Sequence, residues 1–170
     1  MKVKNIHERV VRTSPERAFA IFESLATPQD KLWPRRGWPA LRLDAPKEQL
    51  GRGGHGPIRY RVTEHRPGER TTFEFENAAL SRGLNGIHYF ELERHGDEEF
   101  VARHVIEARL GWPAIIFWPV LIRPMHDALV EDALDNFERE ATQTLARAYR
   151  YTPYVRLLRS ALGRVRKTSA

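Results

Sequence analysis

The sequence predicts an α+β fold, an antiparallel sheet with one polar face whose other face is covered by a long helix near the C-terminus. Three observations predict it. Apolar and polar residues alternate with a period of two through residues 58–63, 72–76, 88–93 and 100–109, the signature of half-buried strands. Two glycine turns, Arg66-Pro67-Gly68-Glu69 and His95-Gly96-Asp97, join these stretches into hairpins. Residues 124–150 then repeat their apolar side chains at helical spacing over a length that suits a helix lying across a whole sheet.

The elements follow in order. Residues 2–13 are rich in Val and Ile and read as a strand. Ser14-Pro15-Glu16 opens a helix, with Ser14 as cap, Pro15 at the first helical position and Glu16 at the positive end of the dipole. Ala18, Ile21, Phe22 and Leu25 form its apolar stripe. Residues 27–40 hold three prolines and are a loop, whose Trp33 and Trp38 either cap an interior cavity or shield the edge of the core. A two-residue Pro67-Gly68 loop sets Val62 opposite Phe73 and Tyr60 opposite Phe75. With Gly96 at the centre of the second turn, His88 lies opposite His104; a slip of two residues puts Phe90 there instead. Residues 111–122 are too apolar for a solvated loop and read as helical, broken near Pro119 and Pro124, packed on a sheet edge, on a homodimer partner or at a membrane. In the long helix, Met125, His126, Leu129, Ala133, Phe137 and Ala141 share a stripe opposite Asp127, Glu131, Asp135 and Glu138.

Composition narrows the function classes. The chain has 170 residues, 41% of them hydrophobic, enough for one domain with a real core. The longest near-apolar run is the segment 111–122, against about 20 residues for a spanning helix. The absence of cysteine removes disulfides, thiolate metal sites and a cysteine nucleophile, and suits the cytoplasm. Of the net charge of +6, the C-terminal stretch from Arg147 contributes seven basic residues and no acid, so the body is near neutral. A nucleic-acid partner is not expected, because such domains spread basic residues over a folded face. The domain boundary is placed at 150, with residues 151–170 a basic amphipathic extension in which Val155, Leu158 and Leu162 oppose Arg156, Arg159 and Arg166. That extension either lies on an anionic membrane, peripheral to its inner face, or is a solvated terminus. Gly51-Arg52-Gly53-Gly54-His55-Gly56 matches a dinucleotide fingerprint, but a strand pattern follows it where a helix is required. It is read as a flexible turn or bulge, and no cofactor is expected.

The order of strand, helix, antiparallel strands and one long C-terminal helix resembles the START-like superfamily. So do the stretches Val11 to Phe19, Gly51 to Tyr60 and Arg123 to Leu129, which look like its bacterial polyketide cyclase/dehydrase and lipid-transport branch, the SRPBCC proteins. The resemblance covers roughly residues 3–148. It implies a helix-grip fold, a curved antiparallel sheet of six to seven strands wrapped around the long helix, with an apolar cavity between them for a hydrophobic small molecule. It supplies no catalytic residue. The inward residues Tyr60, Phe73, Phe75, His88, Phe90, His104, His126, Leu129 and Phe137 are the candidate ligand-binding set. Pattern alone reads them as core filling; the resemblance shifts the set toward a ligand wall.

Three readings of His88, His104 and His126 stay open: polar anchors for a ligand hydroxyl or carbonyl, satisfied structural histidines, or an acid/base or metal site. No ligand pair has helical metal spacing, so no metal is assigned. The expected function is binding or transport of a lipid- or polyketide-like molecule. The alternatives are a cyclase or dehydratase using the histidines as acid and base, and an adaptor with no ligand.

Overall fold

The computed structural model describes residues 1–35 and 37–168, without the side chains of 162–168, so the expectations for Leu162 and Arg166 lie outside the described side chains. The first strand, β1 (Lys2–Arg12), runs into α1 (Pro15–Glu23), where the Ser14 hydroxyl accepts from the Arg17 amide. Ser14→Ala is expected to cost about 1 kcal/mol, the usual worth of such a cap, measured by urea unfolding. Then come β2 (Arg42–Leu43), β3 (Arg52–His55), β4 (Ile58–Arg66), β5 (Arg70–Phe75), β6 (Leu84–Arg94) and β7 (Glu99–Leu110). All seven strands form one antiparallel sheet in the order β1-β7-β6-β5-β4-β3-β2.

The first hairpin has the predicted pairs Tyr60–Phe75 and Val62–Phe73, by a different route. Its loop is one residue longer than expected, since Arg66 pairs with Arg70, and a bulge between Val62 and Glu64 restores the register. The second hairpin does not have the expected His88–His104 pair. Phe90 pairs with His104, and His88 with Ile106. The His95 amide donates to the Glu99 carbonyl, so the turn centres on Asp97 rather than Gly96 and the register moves by two residues. The glycine stretch is also not a flexible turn. It forms β3, squeezed between its neighbours: a Cβ on Gly53 or Gly54 would stand 1.9 Å from a carbonyl oxygen of β2 or β4.

The helix departs from expectation at both ends. A continuous helical run begins with α2 (Ala114–Phe117), widens into a π turn (Trp118–Ile122) and continues as α3 (Arg123–Thr142). Pro119 and Pro124 therefore do not break the rod; the wide turn accommodates the missing N–H groups. The run stops at Gln143, which is left-handed at φ 60°, well before Arg150. Carboxylates of α3 itself capture the next backbone amides: Glu138 accepts from Ala146 at 2.9 Å and Asp135 from Tyr149 at 2.7 Å. The chain is thus folded back along α3. A last helix, α4 (Pro153–Thr168), follows, with Val155 buried and the Tyr154 hydroxyl donating to the Val120 carbonyl at 2.5 Å.

The acidic face of α3 is not turned to water. It lies against the inward side of β1, where Asn5, His7 and Arg9 meet Asp127, Glu131, Asp135 and Glu138. Buried apolar side chains form two clusters. The larger joins α1 and α3 to strands β4, β5 and β7 through Phe22, Tyr60, Phe73, Phe100 and Phe137. The smaller joins Leu84, Ile106 and Leu110 to Trp118 and Ile122. No helix among the described residues is long and apolar enough to cross a membrane.

Candidate functional site

The two clusters do not close on each other. Between them is a cavity of about 630 Å³, walled by members of both. The sheet contributes Phe75, Leu84 and Ile106, and α3 contributes Met125, Leu129 and Val130. The π turn adds Trp118, Leu121 and Ile122, and the loop before β2 adds Trp33 and Trp38. Both tryptophans are tied down by their indole N–H: Trp33 donates to the Pro39 carbonyl at 2.9 Å, Trp38 to Asp132 at 2.6 Å. A volume of this size, with mostly apolar walls and a few convergent polar groups, is that of a small-molecule site.

Four histidines line the cavity, His55, His88, His104 and His126. Although His88 and His104 are not cross-strand partners, the diagonal spacing still brings His88 Nδ1 to 3.3 Å from His104 Nε2. The ring of His88 stacks on Phe73 (centroids 4.9 Å apart) and meets Tyr60 edge-on at 4.8 Å. His104 packs against Phe90 at 4.5 Å and His126 at 4.9 Å. Burial first, and then the neighbouring His126 ring, push His88 and His104 well below the ordinary imidazole range. Burial takes His55 down to about 3. These imidazoles are neutral at pH 7.

Neutrality has a chemical consequence. Two neutral imidazoles sharing one N–H···N bond have one further N–H and one further lone pair between them. His88 Nε2 and His104 Nδ1 have no hydrogen-bond partner among the described residues, nor does either nitrogen of His126. The pair can therefore offer a donor and an acceptor together, and swapping tautomers exchanges the two. A hydroxyl or a carbonyl can be met equally well.

The cavity histidines connect to a charged group at the β1–α3 seam. Burial opposes a charge on His7, but the hydrogen bonds its ring N–H groups donate to Asp127 at 3.1 Å and Glu131 at 2.7 Å win and raise it to about 9. Asp127 is likewise held well below the carboxylate range, the imidazoles of His126 and His7 outweighing its own burial. His126 Nδ1 is 3.6 Å from Asp127, beyond hydrogen-bond length.

Among the described residues two groups of ligating side chains come close enough to hold a metal. His7, His126 and Asp127 form one, and Glu23, Glu48 and His65 the other. In the first, both nitrogens of His7 are committed to carboxylates and the ring is protonated, which opposes a cation. In the second, the buried Lys47 ammonium already sits 3.0 Å from Glu23 and supplies the positive charge.

Of the nine residues expected to line a ligand site, Phe75, His88, His104, His126 and Leu129 face the cavity. Tyr60, Phe73, Phe90 and Phe137 do not; they are packed solidly in the larger core cluster, each no more than 3% exposed. A two-residue strand period identifies the inward face but not where along it the packing stops. Sequence reasoning missed His55, which shares the inward parity of Gly53 and Tyr60 across the β3–β4 pair. It also missed Arg159, assigned there to the polar face of α4 but turned toward the cavity here.

No family model matches the sequence, and no curated protein does. Solved structures do match. Truncated norcoclaurine synthase from Thalictrum flavum superposes with a TM-score of 0.60 at 14% identity, covering 85% of this chain and 96% of that one. A protein from Nitrosospira multiformis gives 0.62 at 12% identity, covering 82% and 97%. XoxI from Bacillus cereus gives 0.56 at 11%, covering 82% and 95%. These neighbours belong to the Bet v1/SRPBCC helix-grip superfamily, and at such identities the likeness is one of fold: the chain has a helix-grip fold.

Proposed function

We propose that this protein binds a hydrophobic small molecule of lipid- or polyketide-like character in the cavity between sheet and α3. The observation that carries this reading is the 630 Å³ space itself, walled by Phe75, Ile106, Trp118 and Leu129 and met by neutral, unpartnered imidazole nitrogens. Each Å² of apolar ligand surface removed from water there contributes about 25 cal/mol, while the imidazoles fix orientation. The uncharged fluorophore N-phenyl-1-naphthylamine tests it. One equivalent is expected to bind with enhanced emission, and Leu129→Trp, which fills the space from the helix side, is expected to weaken binding at least about tenfold. Equal affinity in the two proteins would contradict the reading.

The same nitrogens favour a second reading, acid–base chemistry beside a substrate carbonyl with His88, His104 or His126 as base. Turnover of a polyketide-like substrate that disappears in His104→Gln would favour it over simple binding.

Delivery at an anionic membrane is the finer part of the proposal. Trp112, Ile116, Val120 and Leu157 are between 49% and 75% exposed, and the Tyr154–Val120 hydrogen bond sets α4 beside the π turn. An apolar patch flanked by a basic helix suits that surface. Co-sedimentation with phosphatidylserine vesicles is expected to fall when residues 161–170 are removed; unchanged co-sedimentation would count against it.

A further inference from the structure

Arg159 is the one permanent charge that the described residues place on the cavity wall. The remaining lining is aliphatic, aromatic, glycine, proline or neutral histidine, with no aspartate, glutamate or lysine. The guanidinium carbon lies 4.2 Å from the centroid of the Trp38 ring and 4.6 Å from that of Tyr151. Those rings meet edge to face at 6.5 Å, and both are anchored on one carboxylate oxygen: the Trp38 indole N–H and the Tyr151 hydroxyl each donate to Asp132 Oδ2. Asp132 thus positions the two rings, and the rings hold the guanidinium. On the remaining side Nη2 approaches Gly37 so closely that a Cβ there would stand 2.6 Å away. The fork is therefore held in place before any ligand arrives.

Among the described residues no acidic side chain forms an ion pair with this group. Its Nη1 is buried with no hydrogen-bond partner among them. Burying a guanidinium N–H unpartnered is costly, and stacking on aromatic faces satisfies the charge but not the in-plane donors. What fits such a donor is an oxygen anion, and the apolar walls dictate the rest of the molecule.

Taking the cavity as a ligand site, on which this rests, we infer that the ligand is an apolar molecule ending in a carboxylate, and that Arg159 of α4 binds that carboxylate at the cavity wall. The ligand's body lies against Leu129, Ile106 and Trp118. Helix α4 is then part of the binding site rather than an appendage, supplying specificity for the acid over its neutral derivatives.

The test compares 11-(dansylamino)undecanoic acid with its methyl ester at pH 8, by dansyl emission. Wild-type protein is expected to bind the acid about ten- to a hundredfold more tightly than the ester, as a charge-assisted hydrogen bond to a half-buried, pre-positioned guanidinium warrants. In Arg159→Gln the ratio is expected to fall toward one. Arg159→Lys keeps the charge, loses the planar fork and is expected to lower the ratio as well. Equal binding of acid and ester by wild type, or a wild-type ratio that persists in either folded variant, overturns the assignment of Arg159 while leaving the cavity as a ligand site. Failure of both compounds to bind overturns the cavity reading, and the assignment with it.

Discussion

Stability is expected to fall steeply below pH 6.5, by about 3 kcal/mol per pH unit from His88 and His104 alone, with His55, which burial lowers to about 3, adding about 1.4 more. His88 and His104 are 6% and 2% exposed, and burial holds both well below the ordinary 6.5. Above pH 6.5 each is neutral whether the chain is folded or not, so neither contributes a slope. Below it the unfolded chain takes up a proton on each ring and the native protein does not. Each such site contributes about 1.4 kcal/mol per pH unit. His88 faces Tyr60, Phe73, Phe75 and His104, and His104 faces Phe90 and His126, and among the described residues no acidic side chain pairs with either ring to rescue the charge. Against a typical total of about 5–15 kcal/mol, the fall approaches unfolding near pH 5. His7 acts in the opposite direction. Its raised value, about 9, gives stability that is complete below 6.5 and is lost as pH rises through 9. Urea titrations between pH 5 and 10 are expected to show a maximum close to pH 6.5–7. A flat profile from 7 to 5 would mean that the imidazoles are not buried as described, and His88→Phe is expected to shallow the acid limb.

Removing Arg9 is expected to cost about 3 kcal/mol, the lower end of the loss for a buried ionic cluster, since the Arg9 and Glu131 side chains keep 21% and 24% of their surface exposed. Its guanidinium meets Glu138 at 2.5 Å, Asp135 at 3.0 Å and Glu131 at 3.2 Å. Asp135 is 4% exposed and also accepts the Tyr149 amide that folds the chain back along α3. Arg9→Ala leaves these carboxylates facing one another, with His7 on Glu131 the one cation still paired with them among the described residues, and weakens both the β1–α3 seam and the turn after α3. The exposed pair Arg12–Glu99 is the control: Arg12→Ala is expected to change stability by less than about 1 kcal/mol. Similar losses for the two variants in urea unfolding would contradict the description of the seam.

The strands and their inward faces were legible because a period of two needs only the residues themselves. The fold followed, since a one-sided sheet demands a cover and residues 124–150 offered one. Registers were less secure. The first hairpin reached its expected pairs only because a bulge at Thr63 cancelled an extra loop residue, and the second slipped because hydrogen bonding at His95 and Glu99, not the glycine, sets the turn. The end of α3 was hidden for a related reason: residues 144–150 suit a helix by composition, and only carboxylates one and two turns back divert their amides. The polarity of β1 could have been read, since Asn5, His7 and Arg9 share a parity with Val11, but its match to the acidic face of α3 depends on how helix and sheet dock. The candidate site was half legible. Three histidines interrupt apolar faces and attract notice; Arg159 does not, because an arginine on an amphipathic helix resembles any solvated residue until Trp38 and Tyr151 are seen around it.

The central claim is that an apolar molecule occupies the space between sheet and helix. Isotope-filtered nuclear Overhauser contacts between N-phenyl-1-naphthylamine and the methyl groups of labelled protein test it most directly. Contacts to Ile106, Leu121, Leu129 and Val130 are expected, with none to the exposed Ile6 and Val10 on the far side of β1. Contacts confined to surface methyls, with Leu129 and Ile106 silent, would contradict it.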